Sequence, residues 1–308
     1  MTGWRLVADI GGTNVRFARA DATGRLAAVV SYATASHPTF ARALDAYLAE
    51  TGGIAGCAGA ALGAAGPVEG DCVTLTNHRD WTIDRAIVAA SLAGVPAAIV
   101  NDLEAVAAAL PHLSEGDVMP LGTKAEHRSH GLPMLALNLG TGLGAAVAAR
   151  HGGIWWTHPS EAGHITLAPA SAAELDLFGP VTTNEKLLSG PGIAALFARL
   201  THAPTPVEAS RIFAAAGRDP DADMAIGIVT DVLGRIAGDL VLATGSWGGV
   251  FLCGSVALRW SEIADQARFR AAFENKGPMR DRLRRVPTNV IRRDNVALFG
   301  LARLAMPA

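Results

Sequence analysis

One stretch, residues 6–17, limits the possible folds of this chain more than any other part of its sequence. It has the pattern of a buried apolar strand, a tight glycine turn and a second strand that returns alongside the first. Adjacent glycines let the backbone approach a ligand without an intervening Cβ, and successive N–H groups in such a turn can bind an anion. The strand carries one carboxylate, Asp9, which favours a nearby cation such as Mg²⁺ because a buried charge needs a partner. A hairpin whose glycines only satisfy turn geometry is the alternative. The turn residues are Gly11, Gly12, Thr13 and Asn14.

Two further glycine turns follow apolar strands later in the chain. Residues 134–138 predict a strand before the run Gly140-Thr141-Gly142-Leu143-Gly144, and residues 145–149 predict a returning strand. This order repeats the opening hairpin and predicts a duplicated lobe. The third turn is at Gly254, after the apolar residues 249–253. Together the three turns favour a nucleotide-binding cleft between two lobes.

Other motifs for nucleotide binding or nucleophilic catalysis are missing from the sequence. The middle turn lacks the G-x-G-x-x-G spacing of dinucleotide-binding proteins, and no lysine lies in a P-loop motif. The G-x-S-x-G turn of the α/β-hydrolases is also absent. The sequence therefore argues against a dinucleotide-dependent enzyme, a P-loop protein and a serine hydrolase.

The order of strand and helix patterns predicts an α/β protein with polar residues at strand ends. Residues 4–33 predict three strands, and residues 81–93 predict a helix. Residues 97–100 predict a strand that delivers Asn101 and Asp102 to its carboxyl end, where open α/β sheets bind ligands.

The pair Asn101-Asp102 has two interpretations. Asn101 can cap the following helix, and Glu104 can complete a capping box with it. Asp102 can instead project towards a ligand, where its carboxylate would accept a proton from a hydroxyl that attacks a phosphoryl group.

A second group of polar residues, Glu161, His164 and Glu185, lies among small residues. Carboxylate and imidazole groups are suited to hold a polyhydroxylated sugar by several hydrogen bonds. Each residue also has a structural alternative. The histidine can satisfy a local hydrogen bond, Glu161 can be a surface carboxylate, and Glu185 can pair with Lys186.

Composition limits the partners and the compartment. The 308 residues predict about two domains of ~150 residues. A net charge of −2 without a basic block argues against nucleic-acid binding. Two uncharged runs, residues 131–149 and 240–258, are each broken by a glycine cluster, so they predict buried core and no membrane contact. The three cysteines are far apart in the sequence, and Asp9 interrupts the first apolar stretch, which is therefore too short for a secretory signal. Both features predict that the protein is in a reducing cytoplasm.

The ordered motifs resemble the bacterial glucokinases of the hexokinase type, over nearly the whole chain. The chain lacks the zinc-binding cysteine cluster of the related repressor/kinase branch, and it departs from the family at Ser160, Ala162 and Ser255, where glycine is usual. The motifs that carry the resemblance are Asp9-Ile10-Gly11-Gly12-Thr13-Asn14, Thr76-Asn77-His78, Val100-Asn101-Asp102, Gly140-Thr141-Gly142-Leu143-Gly144, Glu161-Ala162-Gly163-His164, Glu185 with Leu188-Ser189-Gly190-Pro191-Gly192, Gly248-Gly249-Val250-Phe251 and Phe269-Arg270-Ala271-Ala272-Phe273-Glu274-Asn275-Lys276-Gly277.

The resemblance implies two ribonuclease H-like lobes of the actin and hexokinase type, with ATP and sugar in the cleft between them. The expected lobes are residues 1–110 plus 295–308 and residues 111–294. The resemblance also implies a homodimer, and residues 296–304 predict a helix that packs back on the first lobe.

The resemblance also implies a role for each polar motif. Asp102 would be the general base for the 6-hydroxyl of D-glucose, and Asp9 would approach Mg²⁺ through water. The residues expected to hold the other hydroxyls are Asn101, Glu161, His164 and Glu185. The residues expected to hold the phosphates of ATP are Gly11, Gly12, Thr13, Asn14, Gly140, Thr141 and Gly142. The residues expected to border the adenosine are Gly248, Gly249 and Gly254.

The expected activity is therefore the transfer of a phosphoryl group from ATP to glucose, giving glucose 6-phosphate and ADP. A kinase of another hexose or amino sugar on the same fold is one alternative. A sugar sensor without catalytic activity is a second alternative, and a plain nucleotide hydrolase is a third.

Overall fold

The computed structural model describes residues 3–66, 68–75, 78–122, 131–180 and 182–305, with the backbone alone for residues 78–80. Contacts within the chain divide it into two compact units. Unit 1 comprises residues 1–112 and 294–308, and unit 2 comprises residues 113–293. The motif residues Thr76 and Asn77 lie outside the described residues.

Unit 1 contains a five-stranded sheet and a smaller three-stranded sheet, whose strands lie between the fourth and fifth strands of the large sheet in sequence. Its first eleven elements are β1 (Trp4–Ile10), β2 (Asn14–Ala20), β3 (Leu26–Ala33), α1 (Phe40–Thr51), β4 (Cys57–Ala64), β5 (Val68–Glu69), β6 (Cys72–Leu75), β7 (His78–Asp84), α2 (Arg85–Ser91), β8 (Ala97–Asn101) and α3 (Asp102–Ala109). The large sheet has the order β3-β2-β1-β4-β8, and the small one has the order β5-β6-β7.

The first three strands confirm the prediction for residues 4–33, whereas the helix predicted over residues 81–93 is shorter than expected. Trp81 belongs to strand β7, and helix α2 begins only at Arg85. Asp84 determines this start, because its side chain accepts hydrogen bonds from the N–H groups of Ala86 and Ile87 and so caps the helix. The Trp81 ring is 2% exposed and lies edge-on to Phe40, so tertiary packing explains its apolar character.

Unit 2 contains a six-stranded sheet with helices packed against it. Its elements are β9 (Val118–Pro120), β10 (Met134–Leu139), β11 (Leu143–His151), β12 (Ile154–Ser160), α4 (Ala172–Phe178), α5 (Gly190–Leu200), α6 (Ala209–Ala214), α7 (Pro220–Thr244), β13 (Gly249–Cys253), α8 (Ser255–Ile263), α9 (Gln266–Glu274), α10 (Arg280–Arg284) and β14 (Thr288–Ile291). The sheet order is β12-β11-β10-β13-β14-β9.

The two large sheets share one topology. In each, three antiparallel strands form a meander, and two further strands add in parallel beside the first strand of that meander. This is the ribonuclease H-like order, and it confirms the duplication that the repeated glycine turn predicts. Unit 2 differs by the short strand β9, which pairs antiparallel with β14 at the edge.

The last helix of the chain, α11 (Val296–Leu301), packs in unit 1 against α3, β1 and β4, which confirms the predicted return of this segment. Helix α3 is held closely on two sides. A Cβ on Gly300 would overlap the carbonyl oxygen of Ala105, and one on Gly63 would lie 3.1 Å from the Cβ of Ala105. These close approaches fix the position of α3, whose first residue is Asp102.

Each unit has its own apolar core. In unit 1 the ring of Phe17 stacks on that of Tyr47 with 5.0 Å between centroids. In unit 2 the fully buried Trp260 and Phe269 meet edge-on at 5.5 Å. Across the described ranges we find no helix long and apolar enough to cross a membrane.

Candidate active site

The turn between β1 and β2 is fixed by hydrogen bonds to its own backbone. The N–H of Gly11 donates to the oxygen of Asn14 at 2.9 Å, and the N–H of Thr34 donates to the oxygen of Thr13 at 2.8 Å. The buried Thr34 hydroxyl donates to the oxygen of Gly11 at 3.1 Å. Gly11 does not have a positive φ, but a Cβ there would lie 3.3 Å from the oxygen of Asn14. Glycine is therefore favoured at position 11 because the tight turn leaves little space for a Cβ, and not because the backbone is left-handed.

Asp9 is the penultimate residue of β1 and faces Arg16 across the hairpin. The guanidinium Nη1 of Arg16 lies 3.3 Å from Oδ2 of Asp9, and the Asp9 side chain is 21% exposed. Burial raises the pKa of Asp9, and the positive charge of Arg16 opposes this shift. Arg16 was not among the predicted site residues. Its spacing of seven from Asp9 across a glycine turn is the signal that would have identified it.

Asn101 and Asp102 both contribute to the start of helix α3. Asn101 caps the helix and forms a capping box with Glu104, so the structural interpretation of this motif is correct for Asn101. The Oδ1 atoms of Asn101 and Asp102 each accept from the N–H of Leu103 at 2.9 Å. The second of these bonds fixes the direction of the Asp102 carboxylate, which is partly exposed. Nδ2 of Asn101 donates to the oxygen of Gly66 at 3.3 Å.

The sheet of unit 1 brings these two groups to one edge. Strands β1, β4 and β8 are parallel, and Ile10, Ala64 and Asn101 are in register across them. With ~4.8 Å between neighbouring strands, the glycine turn and the start of α3 lie roughly 10 Å apart. In unit 1 the residues predicted to bind nucleotide and those predicted to bind sugar therefore lie at the same carboxyl edge of the sheet, as the strand order predicts.

The glycine turn of unit 2 is held from outside by residues 185–190, which lead into helix α5 and include its first residue. The N–H of Gly140 donates to the oxygen of Gly142 at 3.0 Å, which closes the turn. The N–H of Gly190 donates to the oxygen of Gly140 at 2.9 Å. Oε2 of Glu185 accepts from the N–H of Leu143 at 2.9 Å. Two hydrogen bonds thus attach this segment to both ends of the turn.

Glu185 is therefore neither paired with Lys186 nor directed to solvent, the two alternatives that its sequence context allowed. A Cβ on Gly142 would lie 2.5 Å from Oε2 of Glu185, so this glycine leaves space for the carboxylate. Oε1 of Glu185 accepts no hydrogen bond within the part of the chain that the structure describes. One oxygen is thus committed to the turn, and the other is available to a ligand.

Glu161 directly precedes a short 3₁₀ helix, Ala162–His164, and His164 is the last residue of that helix. Their side chains are 79% and 64% exposed, with 3.8 Å between Oε2 and Nε2. Between them, Gly163 packs so closely on β11 that a Cβ would overlap the oxygen of Leu143. The N–H of Glu185 donates to the oxygen of Gly163 at 2.9 Å, so the three predicted sugar residues of unit 2 form one cluster.

One residue of this cluster was missed by sequence reasoning. Asn184 is 4% exposed, and its Nδ2 donates to the oxygen of Ala162 at 3.1 Å. Its backbone N–H donates to the oxygen of Ile165 at 3.0 Å. Asn184 therefore joins the segment of Glu185 to the segment of Glu161 and His164. The sequence offers only a weak signal, an amide side chain directly before a candidate carboxylate.

Gly248 and Gly249 lie at the other end of β13 from Gly254, and the predicted contact of all three with the adenosine stays a prediction. Gly249 is the first residue of β13 and pairs with Met134 at the start of β10, whereas Gly254 directly follows β13. At ~3.3 Å per residue the two ends of this strand are roughly 13 Å apart or more. A Cβ on Gly248 would lie 2.6 Å from the oxygen of Leu132, so this glycine serves backbone packing.

Gly254 does lie with the glycine turn of unit 2. Its φ is 95°, a left-handed conformation that favours glycine, and a Cβ there would overlap the oxygen of Leu139. Of the three adenosine candidates, only Gly254 is at the edge where β10 ends.

Among the described residues, no three His, Cys, Asp or Glu side chains lie together as a metal-binding group.

Comparison with known proteins identifies the family. The family model described as Glucokinase matches residues 6–308. The chain belongs to the glucokinase family. A glucokinase of Nitrobacter hamburgensis is 35% identical over 99% of this chain and 98% of its own length. A glucokinase of Aromatoleum aromaticum is 34% identical over 97% and 93% of the two chains.

Solved structures agree with this assignment. A glucokinase from an Antarctic psychrotroph superimposes with a TM-score of 0.83 and 28% identity, over 98% of both chains. A ROK-family glucokinase from Streptomyces griseus in complex with glucose and AMPPNP has a TM-score of 0.68 at 21% identity, over 97% of this chain and 98% of that one. The actin/hexokinase-type fold is thus confirmed.

The activity of the family, ATP-dependent phosphorylation of glucose, is the activity expected from the sequence, and that prediction is confirmed at this level. The sensor and the kinase of another sugar are not favoured.

Proposed function

We propose that Asp102 is the general base that removes the proton from the 6-hydroxyl of glucose. The observation that carries this proposal is the hydrogen bond from the N–H of Leu103 to Oδ1 of Asp102 at 2.9 Å, which orients a partly exposed carboxylate at the carboxyl edge of the sheet. As the sugar oxygen attacks the γ-phosphorus of ATP, its proton passes to Asp102, and the bond between the γ-phosphorus and the ADP oxygen breaks.

The remaining sugar hydroxyls are assigned to Asn101, Glu161, His164 and Glu185. The cluster of the last three, joined through Gly163, supports a shared ligand, and the complex of the Streptomyces griseus relative shows that such a fold accommodates glucose. Carboxylates that accept from several hydroxyls give charge-assisted bonds, which are stronger than neutral ones.

The nucleotide phosphates are assigned to the two glycine turns, and the adenosine to the neighbourhood of Gly254. AMPPNP in the same relative supports ATP as the donor. Asp9 fits a water-mediated contact with Mg²⁺, because it is a single, partly exposed carboxylate beside the first turn. When bound, Mg²⁺ would neutralise charge on the phosphates. The turn residues with this role are Gly11, Gly12, Thr13, Asn14, Gly140, Thr141 and Gly142.

Replacement of the carboxylate tests the assignment of the base. We expect Asp102→Ala to lower kcat by about 10²–10⁴, the usual share of a positioned base, while glucose still binds in a calorimetric titration. Asp84→Ala is the matched control, since Asp84 is also a carboxylate at a helix start in unit 1. Near-normal turnover by Asp102→Ala would refute the role of Asp102.

A coupled assay of ADP release tests the sugar. Glucose should support faster turnover than mannose, fructose or N-acetylglucosamine, and ATP turnover should depend on sugar. Preference for another sugar, or turnover without sugar, would contradict glucose as the substrate.

We further propose that the protein is a cytoplasmic homodimer and that the two structural units correspond to its functional lobes. Within the described residues, Cys57, Cys72 and Cys253 form no disulfide bond, which supports a reducing compartment. The dimer is supported by the family resemblance. Light scattering during size-exclusion chromatography gives the mass directly, and a mass of one chain would contradict the dimer.

A further inference from the structure

The duplicated topology gives Asp9 a counterpart in unit 2. In both units the first strand of the meander ends in a buried stretch, residues 6–10 of β1 and 134–139 of β10, that is interrupted by one partly exposed polar residue just before the last apolar one. That residue is Asp9 in β1 and Asn138 in β10. Asp9 pairs in register with Gly63 of β4, and Asn138 pairs with Cys253 of β13, so the two occupy equivalent positions in their sheets.

The carboxamide of Asn138 lies between the two nucleotide candidates of unit 2. A Cβ on Gly140 would lie 3.5 Å from Nδ2 of Asn138, and a Cβ on Gly254 would overlap Oδ1. The thiol of Cys253 lies 3.8 Å from Oδ1 in donor position. The oxygen is therefore turned towards Gly254, and the nitrogen is turned towards the glycine turn at Gly140.

The amide nitrogen of Asn138 retains its hydrogen-bonding capacity. It donates to no acceptor in the described ranges of the chain. An amide nitrogen carries two donors and no charge, so it can approach a phosphate without repulsion, unlike the carboxylate of Asp9. The two units thus present different chemistry at equivalent positions, an acid in unit 1 and a hydrogen-bond donor in unit 2.

We propose that Asn138 is a further nucleotide-binding residue, whose Nδ2 donates a hydrogen bond to a phosphate oxygen of the bound nucleotide. This inference rests on the proposed assignment of the turn at Gly140 to the phosphates and of Gly254 to the adenosine. The carboxamide of Asn138 lies between these two groups, and its hydrogen bond would favour a nucleotide over the bare nucleoside.

Direct binding of ADP without added metal tests the proposal and does not depend on turnover of glucose. A hydrogen bond to a charged acceptor is worth enough to predict roughly 10- to 100-fold weaker binding of ADP to Asn138→Ala. Asn138→Asp keeps the shape of the side chain but places a carboxylate near the phosphates, so we expect it to bind ADP at least as weakly. Calorimetry gives both dissociation constants, and thermal melting verifies that each variant is folded.

Asn289→Ala is the matched control. Asn289 is a buried asparagine of the same sheet, level with Phe251 in the middle of β13 and away from the edge that carries Gly254. We expect its ADP affinity to stay within about twofold of the wild-type value, since it lies outside the site.

Adenosine separates a phosphate contact from a nucleoside contact. Its dissociation constant, measured by the same calorimetry, should be the same for the wild type and for Asn138→Ala. Equal ADP affinity in the wild type and the folded variants would overturn the proposal, and so would a parallel loss for adenosine. Should the wild type bind ADP but fail to phosphorylate glucose, the proposed function would be wrong, while the comparison for Asn138 would still stand.

Discussion

The contact between Gly142 and Glu185 makes a quantitative prediction for Gly142→Ala. The added Cβ would lie 2.5 Å from Oε2 of Glu185, which is about 0.9 Å closer than the shortest ordinary van der Waals contact. The carboxylate ends a flexible side chain, so it can rotate away at little cost in stability. Rotation would break its 2.9 Å hydrogen bond to the N–H of Leu143.

The size of the effect follows from this one hydrogen bond. A hydrogen bond to a charged group contributes about 1.5–3 kcal/mol, and each 1.4 kcal/mol corresponds to about tenfold in affinity. Loss of the oriented carboxylate should therefore weaken glucose binding by roughly 10-fold, with about 100-fold as the upper limit. Titration calorimetry of glucose in the absence of nucleotide measures this change in glucose affinity. Because no phosphate is present, a contact of Gly142 with phosphates does not affect the measurement.

Gly190→Ala is a matched control, because Gly190 is the first residue of α5 and contacts the same turn through its hydrogen bond to Gly140. A Cβ on Gly190 meets its nearest neighbour, the oxygen of Gly140, at 3.6 Å, which is ordinary contact, so glucose affinity should not change. The double variant Gly142→Ala/Glu185→Ala tests whether the added methyl group acts through Glu185. If it does, Gly142→Ala should not change glucose affinity further once the Glu185 carboxylate is absent. Full retention of the Gly142→Ala effect in the Glu185→Ala background would refute the reasoning.

Three further predictions concern residues around the site and in the fold. Asn184→Ala should raise the KM for glucose more than it lowers kcat, because the segment of Glu185 loses its side-chain hydrogen bond to the segment of Glu161 and His164. The control is Thr230→Val at another buried polar residue, and it should lower only the melting temperature. A fall in melting temperature without a change in KM for Asn184→Ala would contradict this role. Gly248→Ala should lower the melting temperature but leave ADP affinity intact, because a Cβ there would meet the backbone at Leu132. Weaker ADP binding by the folded variant would instead support the predicted contact of Gly248 with the adenosine. For Asp117, burial alone would raise the pKa, but hydrogen bonds from Ser114 and Arg293 outweigh it and lower the pKa to about 2. The stabilisation of the fold by Asp117 should be complete above its ordinary pKa of 3.8 and disappear as the pH falls to about 2. Calorimetry should therefore find that Asp117→Asn lowers the free energy of unfolding by roughly 1 kcal/mol at pH 5 and leaves it unchanged near pH 2. A difference that does not vary with pH would contradict it.

The local elements of the candidate site follow from short sequence patterns. An apolar strand followed by glycines predicts the turns after Ile10 and Leu139, and both are present. The start of α3 at Asn101 and Asp102 is equally local, since a side chain that caps a helix acts within three residues. The repeated strand–turn–strand pattern also predicts the duplication of the sheet. Burial of apolar residues and backbone hydrogen bonding act over these short distances.

Which residues meet at the site was decided by tertiary structure. Leu143 and Glu185 are 42 positions apart in the chain, and nothing local to either indicates their hydrogen bond. The direction of β13 places Gly254 at the edge where β10 ends and Gly248 at the opposite edge, although both occur in similar glycine-rich sequence. A sequence alone determines which segments form strands and turns. The order and direction in which the strands add to the sheet determine which turns share an edge, because hydrogen bonding between distant strands sets that order.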